Sequence, residues 1–118
     1  MAHYTCSFTM AVNVKHLRQL LSEVLHSCNL DIQYNKSDYI MARERSGQVS
    51  FSKLVTVEVI IDKTTTTESV TQMNLVVKNE ELPLQTDHHC YQIFSLVKQA
   101  IADNRKWQLV ETVASEFA

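Results

Sequence analysis

Asp87-His88-His89-Cys90 is the one stretch of this sequence in which a carboxylate, two imidazoles and a thiol follow one another. Pro83 before it and an apolar stripe after it predict that it opens a helix, and a helix N-terminus stabilises a thiolate, so Cys90 is a candidate nucleophile. His, Cys and Asp are metal-ligand types as well. The spacing suits zinc poorly. Adjacent helical residues point about 100° apart, whereas ligands on one helical face sit three or four residues apart, and no second pair completes a structural-site pattern. His26 and Cys28, two apart near the end of an earlier helix, fit no better. Nucleophilic catalysis also needs a histidine in reach of the thiol and donors for an oxyanion, and nothing in the sequence positions either. The structural alternative packs Cys90 as a small apolar residue and leaves His88 and His89 in a solvated first turn. No metal and no cofactor is expected.

Paired carboxylates offer acid–base chemistry, and the candidates are Glu80 with Glu81 or Asp38 with Glu44. Each pair has an ordinary place in a loop or a hairpin rim. Arg43-Glu44-Arg45, with Lys36 before it and Lys53 after it, is the one local concentration of positive charge. Strand alternation puts Tyr39, Met41, Arg43 and Arg45 on one side, so an aromatic ring and two guanidinium groups can meet a partner's acid or phosphate there. The competing reading is that Arg43 and Arg45 blunt an edge strand against aggregation. Tyr39, Arg43, Arg45, Glu80 and Glu81 are the candidate partner-binding residues.

The elements that would carry these groups follow from periodicity. Tyr4, Cys6, Phe8 and Met10 alternate with Thr5, Ser7 and Thr9, the pattern of a half-buried strand. Asn13 is a plausible N-cap for a helix over about 14–28, in which Val14, Leu17, Leu20, Leu21, Val24, Leu25 and Cys28 share a face. Asn29 can close that helix in a left-handed conformation. Segments 30–34 and 39–45, joined by Asn-Lys-Ser-Asp, read as a hairpin. Residues 49–62 hold the strongest strand, with Val55, Val57, Val59 and Ile61 on one face and β-branched content disfavouring helix.

The polar run 62–68 then connects to a strand over about 69–78, and Pro83 marks a loop over 79–85. Thr86 or Asp87 can cap a second helix, with Tyr91, Phe94, Leu96, Val97, Ala100 and Ile101 as its apolar stripe. A final strand from Trp107 precedes a frayed tail in which Phe117 can dock in trans. The order β-α-β-β-β-β-α-β predicts one α+β domain over residues 1–118: an antiparallel sheet of five to six strands with two helices on one face. In outline this resembles helix-grip and TATA-binding-protein-like half folds, a likeness of architecture that carries no function. On the opposite face Ile40, Ile60 and Val76 are candidates for an exposed apolar patch and for homodimerisation.

Composition narrows the function classes. The 118 residues contain one glycine and one proline, so the P-loop, the dinucleotide fingerprint and the Gly-x-Ser-x-Gly elbow are all missing. Eleven basic against thirteen acidic side chains give a net charge of −2, and a nucleic-acid binder normally carries a basic stripe. An RNA-binding sheet would want several exposed aromatics flanked by basic groups, and only Tyr34 and Tyr39 are available. Three scattered cysteines suit a reducing compartment. The first residues show no leader and no apolar run is long enough to insert in a membrane, so the expectation is a cytoplasmic chain.

The stretch Phe51–Asp62 (FSKLVTVEVIID), with Met73–Gln85 (MNLVVKNEELPLQ) and His88-His89-Cys90, resembles a family of small uncharacterised cyanobacterial proteins. The resemblance spans about residues 39–101 and implies a cytoplasmic, photosynthesis-associated accessory protein, with no catalytic motif to carry over. The residues themselves point to a non-enzymatic domain that binds another protein. One alternative is an apolar-ligand carrier with a pocket lined by Met73, Phe94 and Trp107 between the sheet and the second helix. The other is a Cys90-dependent enzyme or metal protein.

Overall fold

Tyr4, Cys6, Phe8 and Met10 turn one face of strand β1 (Ala2–Ala11) into the core, and all four are buried. The computed structural model describes residues 2–47, 49–80 and 88–104, and the backbone course of 108–117. Helix α1 (Val14–Ser27) starts at Asn13, whose Oδ1 accepts the His16 N–H at 2.8 Å, so one of the unpaired first-turn donors is satisfied. Leu17, Leu20, Leu21, Val24 and Leu25 form its buried stripe. Asn29 has φ 65°, the left-handed turn usually left to glycine, and it reverses the chain into β2 (Leu30–Lys36).

Strands β3 (Tyr39–Glu44), β4 (Thr56–Ile61) and β5 (Thr71–Asn79) follow. The strong strand therefore starts later than its apolar run suggests, because residues Phe51–Lys53 form a short 3-10 turn. Asn79, expected in a loop, closes β5, and its Nδ2 donates to the Lys53 carbonyl at 3.0 Å. Helix α2 (His89–Asp103) buries Cys90, Phe94, Val97 and Ile101. Tyr91 and Leu96, expected on that stripe, are 40% and 49% exposed. Leu96 lies two residues beyond Phe94, about 200° round the helix. Strand β6 (Gln108–Phe117) takes in the stretch expected to fray, its Phe117 pairing with His3 on β1. The cap candidates Thr86 and Asp87 fall outside the described residues.

The fold is α+β: a six-stranded sheet in the order β2-β3-β4-β5-β1-β6, antiparallel at every pairing. Both helices join the core through the same sheet face, with α1 over β2 and α2 over β1 and β5. Because β1 sits beside β5, α1 must carry the chain from the inner strand β1 to the far edge at β2. The topology corrects two expectations. Strand β3 lies between β2 and β4, so Arg43 and Arg45 do not guard an edge. Ile40 is fully buried beneath the helices, since it shares parity with Ala42 and Glu44, and it leaves the proposed open-face patch to Ile60 and Val76.

Candidate interaction site

Three neighbouring side chains that looked like one chemical cluster diverge. His88, buried at the N-cap of α2, meets β1: its ring lies edge-on to Tyr4, with the Tyr4 hydroxyl 3.5 Å from Nδ1. His89 reaches β3, placing Nε2 2.8 and 2.9 Å from the two carboxylate oxygens of Glu44. Cys90 is buried against β5 and donates to the Val77 carbonyl at 3.6 Å. A helix turns about 100° per residue, so consecutive side chains at its start fan out over three strands, and the turn anchors α2 to the sheet. Among the described residues no group of three His, Cys, Asp or Glu side chains is placed to hold a metal ion.

Glu44 is the buried acid of the helix face. Its Oε1 also accepts the Val55 N–H at 3.1 Å, while its own N–H donates to the Val55 carbonyl at 2.9 Å. The carboxylate thus supplies the acceptor for the Val55 N–H one residue before β4 begins. Asp38 lies in the turn at the other end of β3, about 20 Å away at the strand rise, so it forms no acid pair with Glu44. Cys6 and Cys28 are buried too, and that burial raises both thiols above their ordinary pKa. They are held as thiols rather than as nucleophilic thiolates.

Polar and charged groups gather instead on the face away from the helices. Register places Asp31, Arg43, Thr56, Lys78 and His3 in one row across five strands. Tyr39 donates its hydroxyl to Glu58, and Lys78 Nζ lies 2.6 Å from the same carboxylate. These contacts, Lys78 first, hold the Glu58 carboxyl below the usual range, while the bond to Glu58 is the main reason the Tyr39 phenol is pushed up to about 12.

Beside this network lies a cleft of about 120 Å³, lined by Arg43, Phe51, Leu54, Thr56, Lys78 and Glu80 among others. Arg43 donates from Nη1 to Thr56 Oγ1 at 3.1 Å, and its guanidinium stands 5.3 Å from the centroid of Phe51, a ring 78% exposed. No carboxylate pairs with Arg43 among the described residues.

The structure therefore brings Arg43 and Glu80 to one cleft, with Tyr39 on the adjoining network. Arg45 goes elsewhere, binding Asp31 through Nε and His26 through Nη2, both at 2.8 Å. Glu81 lies outside the described residues. Of the three residues expected to line a ligand pocket, Met73 and Phe94 are packed into the core, Phe94 stacked on Tyr4 at 5.4 Å, and Trp107 also lies outside the described residues. Phe51, Thr56 and Lys78 were not singled out from the sequence. Alternation along β4 and β5 marks Thr56 and Lys78 as outward-facing, but only register brings them beside Arg43.

No family model matches the chain, and comparison with curated proteins yields no match. A solved structure of a conserved protein from Geobacillus kaustophilus is similar over 90% of this chain and 99% of its own, at 13% identity and a TM-score of 0.36. Overlap at that level assigns neither fold family nor function. No helix among the described residues is long and apolar enough to cross a membrane.

Proposed function

We propose that this chain is a non-enzymatic protein-binding domain that meets its partner through the cleft at Arg43 and Phe51. The observation that carries the reading is an Arg43 guanidinium with no acid partner among the described residues, set against an aromatic ring left 78% exposed. Exposed Arg and aromatic side chains are the types that dominate interface energetics. The site fits a partner that offers a carboxylate to Arg43 and an apolar side chain to Phe51. Covering the ring would remove apolar surface from water, and closing the rim would strengthen the ion pair by excluding solvent.

Affinity capture from the native host with the wild-type chain, Arg43→Glu and Phe51→Ser tests this. A protein held by the wild type and lost from both variants, with far-UV spectra and melting of the variants unchanged, supports the cleft as the contact. Retention of every captured protein by both variants refutes it.

A further inference from the structure

The seam between α1 and β2, on the far side of the sheet from the cleft's rim, has features that core packing and the proposed function leave unused. Among the described residues strand β2 is an edge that pairs with β3 alone, and no described strand meets its outer backbone N–H and C=O groups. A shallow groove of about 370 Å³ runs beside it, lined by Ser22, Glu23, His26, Leu30 and Ile32. One helical turn before Ser22, Arg18 lies across the same seam and donates from Nη2 to Asn35 Oδ1 at 2.8 Å. Among the described residues its buried Nε has no acceptor and no acid pairs with the guanidinium. The guanidinium's contact with Asn35 lies at the exposed surface of the seam, where a carboxylate can reach its outer N–H groups.

We propose that this seam binds an extended segment of another protein by strand addition to β2, with one apolar side chain in the groove and one carboxylate on Arg18. Antiparallel addition continues the pattern of every other pairing in the sheet. It sets the order of the bound segment. An incoming strand that runs against β2 passes Asn35 and Arg18 before it reaches Ile32 and Leu30, so the acid precedes the apolar residue.

Register sets the spacing. On the inner side of β2, Asn35 pairs with Ile40 and Ile32 with Ala42, two residues apart because β2 bulges between Ile32 and Tyr34. An added strand spans the same interval in two residues, about 7 Å. The recognised pattern is therefore an acidic residue, any residue, then Leu, Ile or Val. The bulge and the charges of Asp31 and Lys36 limit indiscriminate edge pairing, so selectivity falls on the groove and the guanidinium.

Selection of random octapeptides displayed on phage against the immobilised full chain tests the proposal. The expected outcome is enrichment of an acidic residue two positions before Leu, Ile or Val. Synthetic peptides from that pool should bind at least tenfold more weakly to Arg18→Glu and to Ile32→Glu, both checked for folding by circular dichroism, and to keep full affinity for Arg43→Glu. No enrichment over an unrelated protein overturns it, as does an enriched pattern without that spacing or affinity unchanged in Arg18→Glu. Peptides that lose affinity for Arg43→Glu alone overturn it while favouring the cleft on the open face. A dimer in sedimentation that Arg18→Glu dissociates would show that a second copy occupies the seam, and this too overturns the proposal.

Discussion

Replacing Glu44 by alanine should be among the most destabilising single changes in the chain. The side chain is 3% exposed and its hydrogen-bond partner His89 is 16% exposed, so water replaces little of what is lost. Alanine leaves the Val55 N–H without its 3.1 Å acceptor, which costs about 1–3 kcal/mol. It also removes the 2.8 and 2.9 Å contacts to His89, and hydrogen bonds to charged groups contribute about 1.5–3 kcal/mol. A loss of roughly 3–5 kcal/mol follows from these two contributions together, against a total stability of about 5–15 kcal/mol for ordinary domains.

Urea unfolding followed by circular dichroism reads this as a lower midpoint at constant slope. Glu44→Gln keeps an acceptor for Val55 and should lose less, about 1–2 kcal/mol. The cycle with His89→Ala should show coupling of at least about 1 kcal/mol. An alanine variant within about 1 kcal/mol of wild type, or a glutamine variant as damaged as the alanine one, would refute the role assigned to this carboxylate.

Three further outcomes are expected. In a spectrophotometric titration, a phenol that ionises near pH 12 should vanish in Tyr39→Phe. Since the folded phenol is raised above its usual value of about 10, its stabilising contribution is present below that value and fades as pH rises towards 12. The lowered Glu58 carboxyl works in the other direction: its contribution is present above the ordinary carboxyl range and is lost as pH falls through the folded value. At φ 65°, Asn29→Ala should cost about 1 kcal/mol in chemical unfolding while Asn29→Gly costs little; equal losses would show that the left-handed turn is not what Asn29 supplies. Cys6, Cys28 and Cys90 are buried, so a thiol reagent should modify them only as fast as the chain opens. Rapid reaction of any of the three in the native protein would contradict its placement.

Much of the scaffold is legible in local sequence. Asn13 caps α1 and Asn29 closes it, as side-chain chemistry predicts for a chain with a single glycine. The buried faces of β1, β4 and β5 follow from period-two alternation, and the stripe of α1 follows from steps of three and four. Where local reading fails, the reasons are physical. Leu96 has an apolar side chain at an angle that leaves it 49% exposed. Ile40 and Glu44 share parity on β3, so burial of one implies burial of the other, but an isolated hexapeptide does not say which side faces the helices.

Local sequence is enough for the order of the main elements and for the core faces of β1, β4, β5 and α1, because backbone dihedral preferences, capping and hydrophobic periodicity act over a few residues. It also limited the chemistry, since one glycine cannot build a phosphate-binding loop. Tertiary structure alone decided which strands lie at the edges, which groups meet in the Arg43 cleft and where His88, His89 and Cys90 go. Those depend on pairing between residues far apart in the chain, such as Thr56 with Lys78 and His3 with Lys78. No local propensity specifies such pairing, because it is fixed by which arrangement of the whole sheet covers all the apolar faces at once.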